Sequence, residues 1–486
     1  MRLAALSLIL LAVVVPRLAA QDARLAAANT APMLAGIDAA AVRYADVARQ
    51  IWQFAEVGYQ EVKSSALLQS ELTAAGFTVK RGVAGEPTAF VAEFGSGTPV
   101  IALLAEFDAL PGLSQDSVPV RRPLRAGGAG HGCGHHLLGT ASAAAAIALK
   151  RWMQANGVKG TLRMIGTPAE EGGSGKVFMV RDGIFDDVDA VIAWHPASGN
   201  LVEGSTSLAN ISGKFRFRGR SSHAAGSPER GRSALDAVEI MNVMTNFLRE
   251  HVPAETRIHY VITKGGAAPN VVPDDAEAYY YVRHPDRAVA KQVWGRVEDA
   301  ARGAAIGTGT TYDVSIVGSV YSLLPNETLA RVQQRALETV GGFTLSAAER
   351  GFAQRLQQTE GFSAVPLETT ARVRPLAADD ASPTSTDLGD VSWVVPTVQM
   401  YAATWVPGTV SHTWQATAAG GTSIGVKGML VAAKSMALAG AELFTSPSIV
   451  AAAKTELTER RGAGFRYETV LGDRKPPLDY RAGGTP

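Results

Sequence analysis

Between residues 90 and 194 the chain repeats one pattern that leaves few folds open to it. Short apolar runs at Phe90–Phe94, Val100–Leu104, Leu162–Ile165 and Ala190–Trp194 have the length of buried strands. Between them lie Ala-rich helical text over Leu137–Met153 and a short helical stretch over Val177–Val180. A strand that is apolar throughout needs cover on both faces, so this alternation predicts an α/β layer with helices on each side of the sheet. Two more helices are expected upstream, at Ala40–Phe54 and Ser64–Ala75, the second stopped by Gly76.

The pattern changes near Ser207. Lys214–Arg218 alternates with period two and reads as a half-exposed antiparallel strand with an edge open to pairing. A helix over Ala234–His251, strands at Ile258–Thr263 and Ala276–Val282, a helix over Ala288–Ala304 and a strand at Tyr312–Tyr321 complete an α+β unit. From Asn326 the text returns to helices, then a strand at Val394–Ala402 and a helix over Ser423–Leu443. The economical reading is one catalytic domain in two parts, residues 21–206 and 323–446, interrupted by an inserted domain over 207–322. The charged tail, 447–486, is expected to wrap the surface.

The first twenty residues form a separate object. Arg2, the apolar run Leu3–Val15, the break at Pro16 and the small residues before Gln21 predict a cleaved signal peptide over 1–20. The mature protein is then expected to be secreted or periplasmic. The run is shorter than the ~20 apolar residues needed to span a bilayer, and no later stretch reads as long and apolar enough. Loss of Arg2 and Arg17 leaves 44 basic groups against 45 acidic ones, so no basic surplus favours nucleic acid. The single cysteine, Cys133, excludes an intramolecular disulfide framework and a zinc ribbon, leaving core and metal to stabilise the fold.

Chemistry-bearing residues gather at loop positions near the predicted strand ends, where α/β folds place their sites. Ala105–Gly112 carries Asp108, which a capped turn would also explain. His131-Gly132-Cys133-Gly134-His135-His136 packs a thiol and three of the nine histidines into six residues, a donor set suited to zinc or another late first-row metal. Glu170-Glu171 can divide the work of a metallohydrolase, one carboxylate holding a cation and the other moving a proton. His195, His223 and His412 each stand in or near a predicted strand end, and each is ambiguous alone.

Read in order, these groups resemble the zinc-dependent amidohydrolases and peptidases of the aminoacylase and carboxypeptidase G superfamily, and within it the aminobenzoyl-glutamate hydrolase and amidohydrolase branch. The resemblance runs from about Ala40 to about Gly464. It also takes in Phe54–Glu61, Asp108–Gln115, Gly265-Gly266, Asn270–Pro273 and Ser385–Trp393. It implies a mixed sheet flanked by helices as a di-metal catalytic domain, interrupted by a ferredoxin-like dimerisation or lid domain. The implied metal ligands are Cys133, His135, Glu171, His195 and His412, holding one or two zinc ions, or manganese or another divalent ion in their place, with Cys133 as the ligand that bridges two metals. Glu170 matches the general base, and Asn270 and Arg283 match groups that hold a substrate carboxylate. His223 matches an inserted-domain histidine that reaches a neighbouring subunit's site, which implies a homodimer. His136 stands where relatives commonly carry Asp or Asn and is kept outside the ligand set. The expected substrate is an N-acyl amino acid, an aminobenzoyl-glutamate-like compound or a small peptide with a free carboxylate. Two other readings are a cysteine hydrolase, with Cys133 as nucleophile and His135 or His136 as base, and a non-catalytic scaffold relative.

Overall fold

The computed structural model describes residues 30–359, 365–376 and 382–481, so the expected leader over 1–20 lies outside them. In chain order the strands are β1 (Thr78–Arg81), β2 (Phe90–Ser96), β3 (Val100–Ala105), β4 (Gly160–Gly166), β5 (Ala190–Ala197), β6 (Leu201–Val202), β7 (Ala209–Arg218), β8 (Arg257–Lys264), β9 (Asp275–His284), β10 (Thr311–Val320) and β11 (Thr397–Ala403). Seven form a mixed sheet in the order β1-β2-β4-β3-β5-β11-β6, with β4, β3, β5 and β11 parallel.

The central strand β3 explains this architecture. Ile101, Leu103 and Ala105 face one core, shared with helices Ala41–Phe54, His135–Asn156, Glu327–Val340 and Ser423–Thr445. Val100, Ala102 and Leu104 face a second core, shared with helices Gly175–Arg181 and Leu388–Val394. Both sides are apolar, so both must be covered. Parallel strands align their carboxyl ends, and β3, β4 and β5 therefore deliver the segments that follow them to one edge of the sheet.

The other four strands form an antiparallel sheet in the order β10-β7-β9-β8. Phe215, Phe217 and Tyr280 pack from it against Val238, Met241, Trp294 and Val297 of two covering helices, Ala234–Leu248 and Arg287–Thr308. The expectation of an open edge at Lys214–Arg218 is corrected here. That segment lies in β7, paired with β10 on one side and β9 on the other, and the outer strands are β8 and β10. Alternation identifies which face of a strand is buried; it says nothing about its neighbours.

Three further expectations change. The text from Val394 does not open a strand: helix Leu388–Val394 precedes β11, which starts at Thr397. Helix Ser423–Thr445 is long and apolar enough to cross a membrane, but it lies in the core against helices His135–Asn156 and Glu327–Val340. The tail from Pro447 begins as a helix, Pro447–Arg461, with Val450, Ala453 and Leu457 buried, and its last described residues reach the strand ends of the catalytic sheet.

Candidate active site

Each element at this edge of the sheet presents one or two functional side chains. Helix His135–Asn156 starts two residues earlier than its apolar text suggests, because Gly134 adopts φ +80° and turns the chain into it. A Cβ at Gly134 would come within 2.7 Å of Pro196, so glycine also lets this turn approach the end of β5. His135 thereby occupies the first helical turn, fully buried. His412, at φ +61°, is tied to the same loop by its backbone N–H, which donates to Gly132 O at 2.9 Å.

Two groups of donors meet at Cys133. Its Sγ forms one with His135 and His195 and a second with Glu171 and His412, the ligand atoms in each lying within 4.8 Å of one another. Cys133 Sγ is 3.3 Å from His195 Nε2, and His412 Nε2 is 3.2 Å from Glu171 Oε1. All five expected ligands therefore come together. Glu170 joins a third group with Glu106 and His135.

Asp108 is not the local turn cap that its surroundings allow. Its Oδ1 accepts from His135 Nδ1 at 2.8 Å and its Oδ2 from the Glu171 backbone N–H at 2.9 Å, so one carboxylate orients two of the five. His195 Nδ1 donates to Pro196 O at 2.8 Å. In both histidines the outer nitrogen is engaged, leaving Nε2 turned inward, the arrangement that orients imidazole ligands. His135 Nε2, Glu171 Oε1 and Glu106 Oε2 are buried without a hydrogen-bond partner. Converging electron-pair donors withdrawn from water call for a cation, and the residues present fit a divalent one.

Burial and close-set charges shift several titrating groups of the site. Burial pushes the Cys133 thiol well up, and Glu171 adds to it. Burial, then Glu106 and Glu171, hold the Glu170 carboxyl well above the usual range. Burial and the nearby His135 pull His195 down to about 4. For His135 burial works downward, but Cys133 and Asp108 outweigh it and raise the imidazole.

Three contributors were not assigned roles from sequence. Glu106 lies 3.2 Å from His135 Nε2, and its other oxygen meets Lys176 Nζ at 2.7 Å. Lys176, fully buried, also meets Asp387 Oδ1 at 2.6 Å. The available signals were the segments Ala105–Gly112 and Ser385–Trp393, which hold Glu106 and Asp387, and a lysine beside the apolar text of Val177–Val180. Asn270 and Arg283, by contrast, are not joined to the donor groups by any contact among the described residues. Asn270 and His223 lie on the inserted unit with little cover, where His223 bridges Val271 and its Nδ1 accepts from the backbone of Ala225 and Gly226. Arg283 is half-buried, stacked on Tyr281 at 5.3 Å, and its Nη1 donates to Ser385 Oγ at 3.3 Å. His136 stays outside, its Nε2 against Gly420 O at 3.1 Å.

Cation-ready donors beside a carboxyl group poised to move a proton are the working parts of a metal-dependent hydrolase, and fold and site place the chain in that class. Residues 102–413 match peptidase family M20/M25/M40, and the chain belongs to that family. It is 44% identical over 440 residues to one of the p-aminobenzoyl-glutamate hydrolase subunits of Escherichia coli (strain K12), covering 85% of this chain and 92% of that one. It is 30% identical to the Xaa-Arg dipeptidase of Mus musculus, over 86% of this chain and 90% of the relative. A dinuclear metal-binding peptidase of the M20 family from Bacillus subtilis shares the fold, with a TM-score of 0.52 at 19% identity, over 82% of this chain and 98% of its own. The chain is a metal-dependent amidohydrolase.

Proposed function

We propose that this enzyme hydrolyses the amide bond of a small substrate bearing a free carboxylate, such as p-aminobenzoyl-glutamate, an N-acyl amino acid or a dipeptide. The observation that carries the reading is the position of Cys133, common to two donor groups, with Glu170 beside them. His135 and His195 would hold one cation and Glu171 and His412 a second, with Cys133 between them. Zinc suits this set of thiol, imidazole and carboxylate, and manganese is the alternative. A divalent cation there supplies Lewis acidity toward water and the amide carbonyl. Glu170 takes a proton from the attacking water and returns it to the leaving amine.

The substrate carboxylate is assigned to Arg283, whose Nε is buried without a partner and whose planar fork matches a carboxylate, with Asn270 assisting. His223 polarises the scissile carbonyl from a second copy of the chain. Two features support such a homodimer. Ile240, Val243, Met244 and Phe247 form an exposed stripe along one helix face, and the outer strand β8 exposes Val261 and Ile262. The relative from Escherichia coli is named as a subunit, so assembly with a different chain is the outcome to distinguish. Export with cleavage before Gln21 completes the proposal.

The test is to strip the purified enzyme with a chelator, restore zinc or manganese, and follow turnover of p-aminobenzoyl-glutamate, N-acyl amino acids and Xaa-Arg dipeptides by mass spectrometry. Activity is expected only in the metal-loaded protein and only on amides with a free carboxylate. Full activity in rigorously metal-free protein overturns the reading.

A further inference from the structure

The chain beyond Gly464 lies outside the segments that carry the family resemblance, yet its last described residues lie against the active centre. Leu471 is buried with Val177, Phe178 and Val320. Arg181 Nη1 donates to Gly472 O at 3.2 Å, and Arg474 donates to Ile316 O in β10. The strap is thus anchored on both the catalytic and the inserted unit. It then passes the segment Gly58–Glu61, where Gln60 Nε2 donates to Leu478 O at 2.7 Å and the rings of Tyr59 and Tyr480 meet edge-on at 5.8 Å. Further along, Tyr480 Oη donates to Glu171 O at 3.2 Å, and Arg481 Nη2 donates to the same carbonyl.

That carbonyl belongs to a loop that does not hold its own shape. Ala169 (φ 57°) and Ser174 (φ 58°) sit in the left-handed region, which side chains other than glycine avoid, so the surroundings must impose the conformation. Three contacts grip the loop from the catalytic side. Ala169 N–H donates to Glu61 Oε1 at 2.9 Å, Glu171 N–H to Asp108 Oδ2 at 2.9 Å, and Tyr59 Oη to Gly173 O at 2.8 Å. The strap supplies the grip on Glu171 O. Gly58 makes room for it: a Cβ there would fall 2.5 Å from Tyr480 Oη and 2.8 Å from Ala169 Cβ.

We propose that Tyr480 and Arg481 are positioning residues, and that the C-terminal strap and Gly58–Glu61 together clamp the loop carrying Glu170 and Glu171. The inference rests on the reading of Glu171 as a metal ligand. It gives a role to Gly58–Glu61, a segment of the family resemblance that the chemistry leaves unused.

The test measures zinc affinity of the full-length protein by competition with a chromophoric chelator, alongside kcat, KM and the thermal midpoint. Arg481→Ala combined with Tyr480→Phe is expected to weaken zinc binding about 10- to 100-fold, as loss of groups that orient ligands does. kcat should fall with little change in KM, and Arg481→Lys should recover part of both losses. Gly58→Ala, which presses on both the Tyr480 hydroxyl and Ala169 of the clamped loop, should weaken zinc binding in the same direction. A lowered thermal midpoint with unchanged zinc affinity and kcat overturns the clamp. Glu171→Gln separates the two levels. If it weakens zinc binding and the strap variants do not, only the clamp fails; if it leaves zinc binding intact, the ligand reading itself fails.

Discussion

The carboxyl edge of the catalytic sheet and the exposed end of the inserted unit differ in how completely one chain builds them. At the sheet edge the donors are set in place: Asp108 holds His135 and Glu171, Pro196 O holds His195, and Lys176 bridges Glu106 and Asp387. At the inserted unit His223 and Asn270 lie toward solvent, and Arg283 keeps a buried Nε without an acceptor. On the roles proposed above, the difference teaches that holding metal and holding substrate are separate tasks. A cation site must be rigid before the cation arrives, because several donors have to converge at once. Substrate groups can be delivered later, by domain movement or by a second copy, and gain water exclusion by doing so.

The sharpest way to break this comparison is to separate the two neighbouring glutamates. Glu170→Gln is expected to lower kcat by about 10²- to 10⁴-fold while metal content, read by elemental analysis, stays near wild type. Glu171→Gln should instead deplete metal. Equal metal loss in both would erase the division between base and ligand.

The next largest effect tests the inserted unit. His223→Ala should lower kcat by about 10²- to 10³-fold, the loss associated with one donor to a developing oxyanion. Mixing it with Glu170→Gln chains, with subunit exchange demonstrated, should restore activity to a fraction of wild type, because in the proposed homodimer one site of each mixed pair regains both groups. Absence of recovery places His223 in its own chain's site or outside the chemistry.

How far these regions were legible in the sequence follows from the range of the contacts that build them. The buried strands could be read from apolar runs and the His131–His136 cluster from compact spacing, while the choice of Cys133 and His135 within it, and of Glu171 as ligand and Glu170 as base, came from the family resemblance. Contacts between distant segments left no such mark. The Lys176–Asp387 pair spans 211 residues and the Arg481–Glu171 contact spans 310, so neither partner announces the other. Conformation at single residues was also hidden: helix His135–Asn156 starts at His135 because Gly134 turns left-handed, which apolar periodicity cannot report. The neighbours of β7 were misjudged for a related reason, since pairing is decided by topology rather than by the strand's own text.

A smaller effect measures how strictly the sheet edge is prebuilt. Asp108→Asn keeps the shape but removes the charge that orients His135 and accepts from the Glu171 backbone. Zinc affinity should fall by about 10- to 100-fold, while His223→Ala leaves it unchanged. If both variants bind zinc as wild type does, the orienting role of Asp108 is lost and the two regions no longer differ in kind.

The last effect, read as stability rather than activity, concerns what a prebuilt polar framework costs the fold. Asp390 is buried beside the catalytic sheet, accepting from Tyr321 N–H at 2.9 Å and Tyr467 Oη at 2.7 Å. Burial nonetheless pushes its carboxyl up to about 7, against about 3.9 for a free aspartate. The folded state therefore binds a proton more tightly than the unfolded one between those values. Asp390 favours folding most below about pH 4, and that contribution drains away as pH rises through about 7, with a slope of at most about 1.4 kcal/mol per pH unit. Asp390→Asn removes the titration while keeping an acceptor for Tyr321 N–H and a donor toward Tyr467 Oη. Denaturant melts between pH 4 and 7 should give a flatter dependence for the variant than for wild type. Parallel curves would show that Asp390 is ionised throughout and that its two hydrogen bonds fully offset its burial.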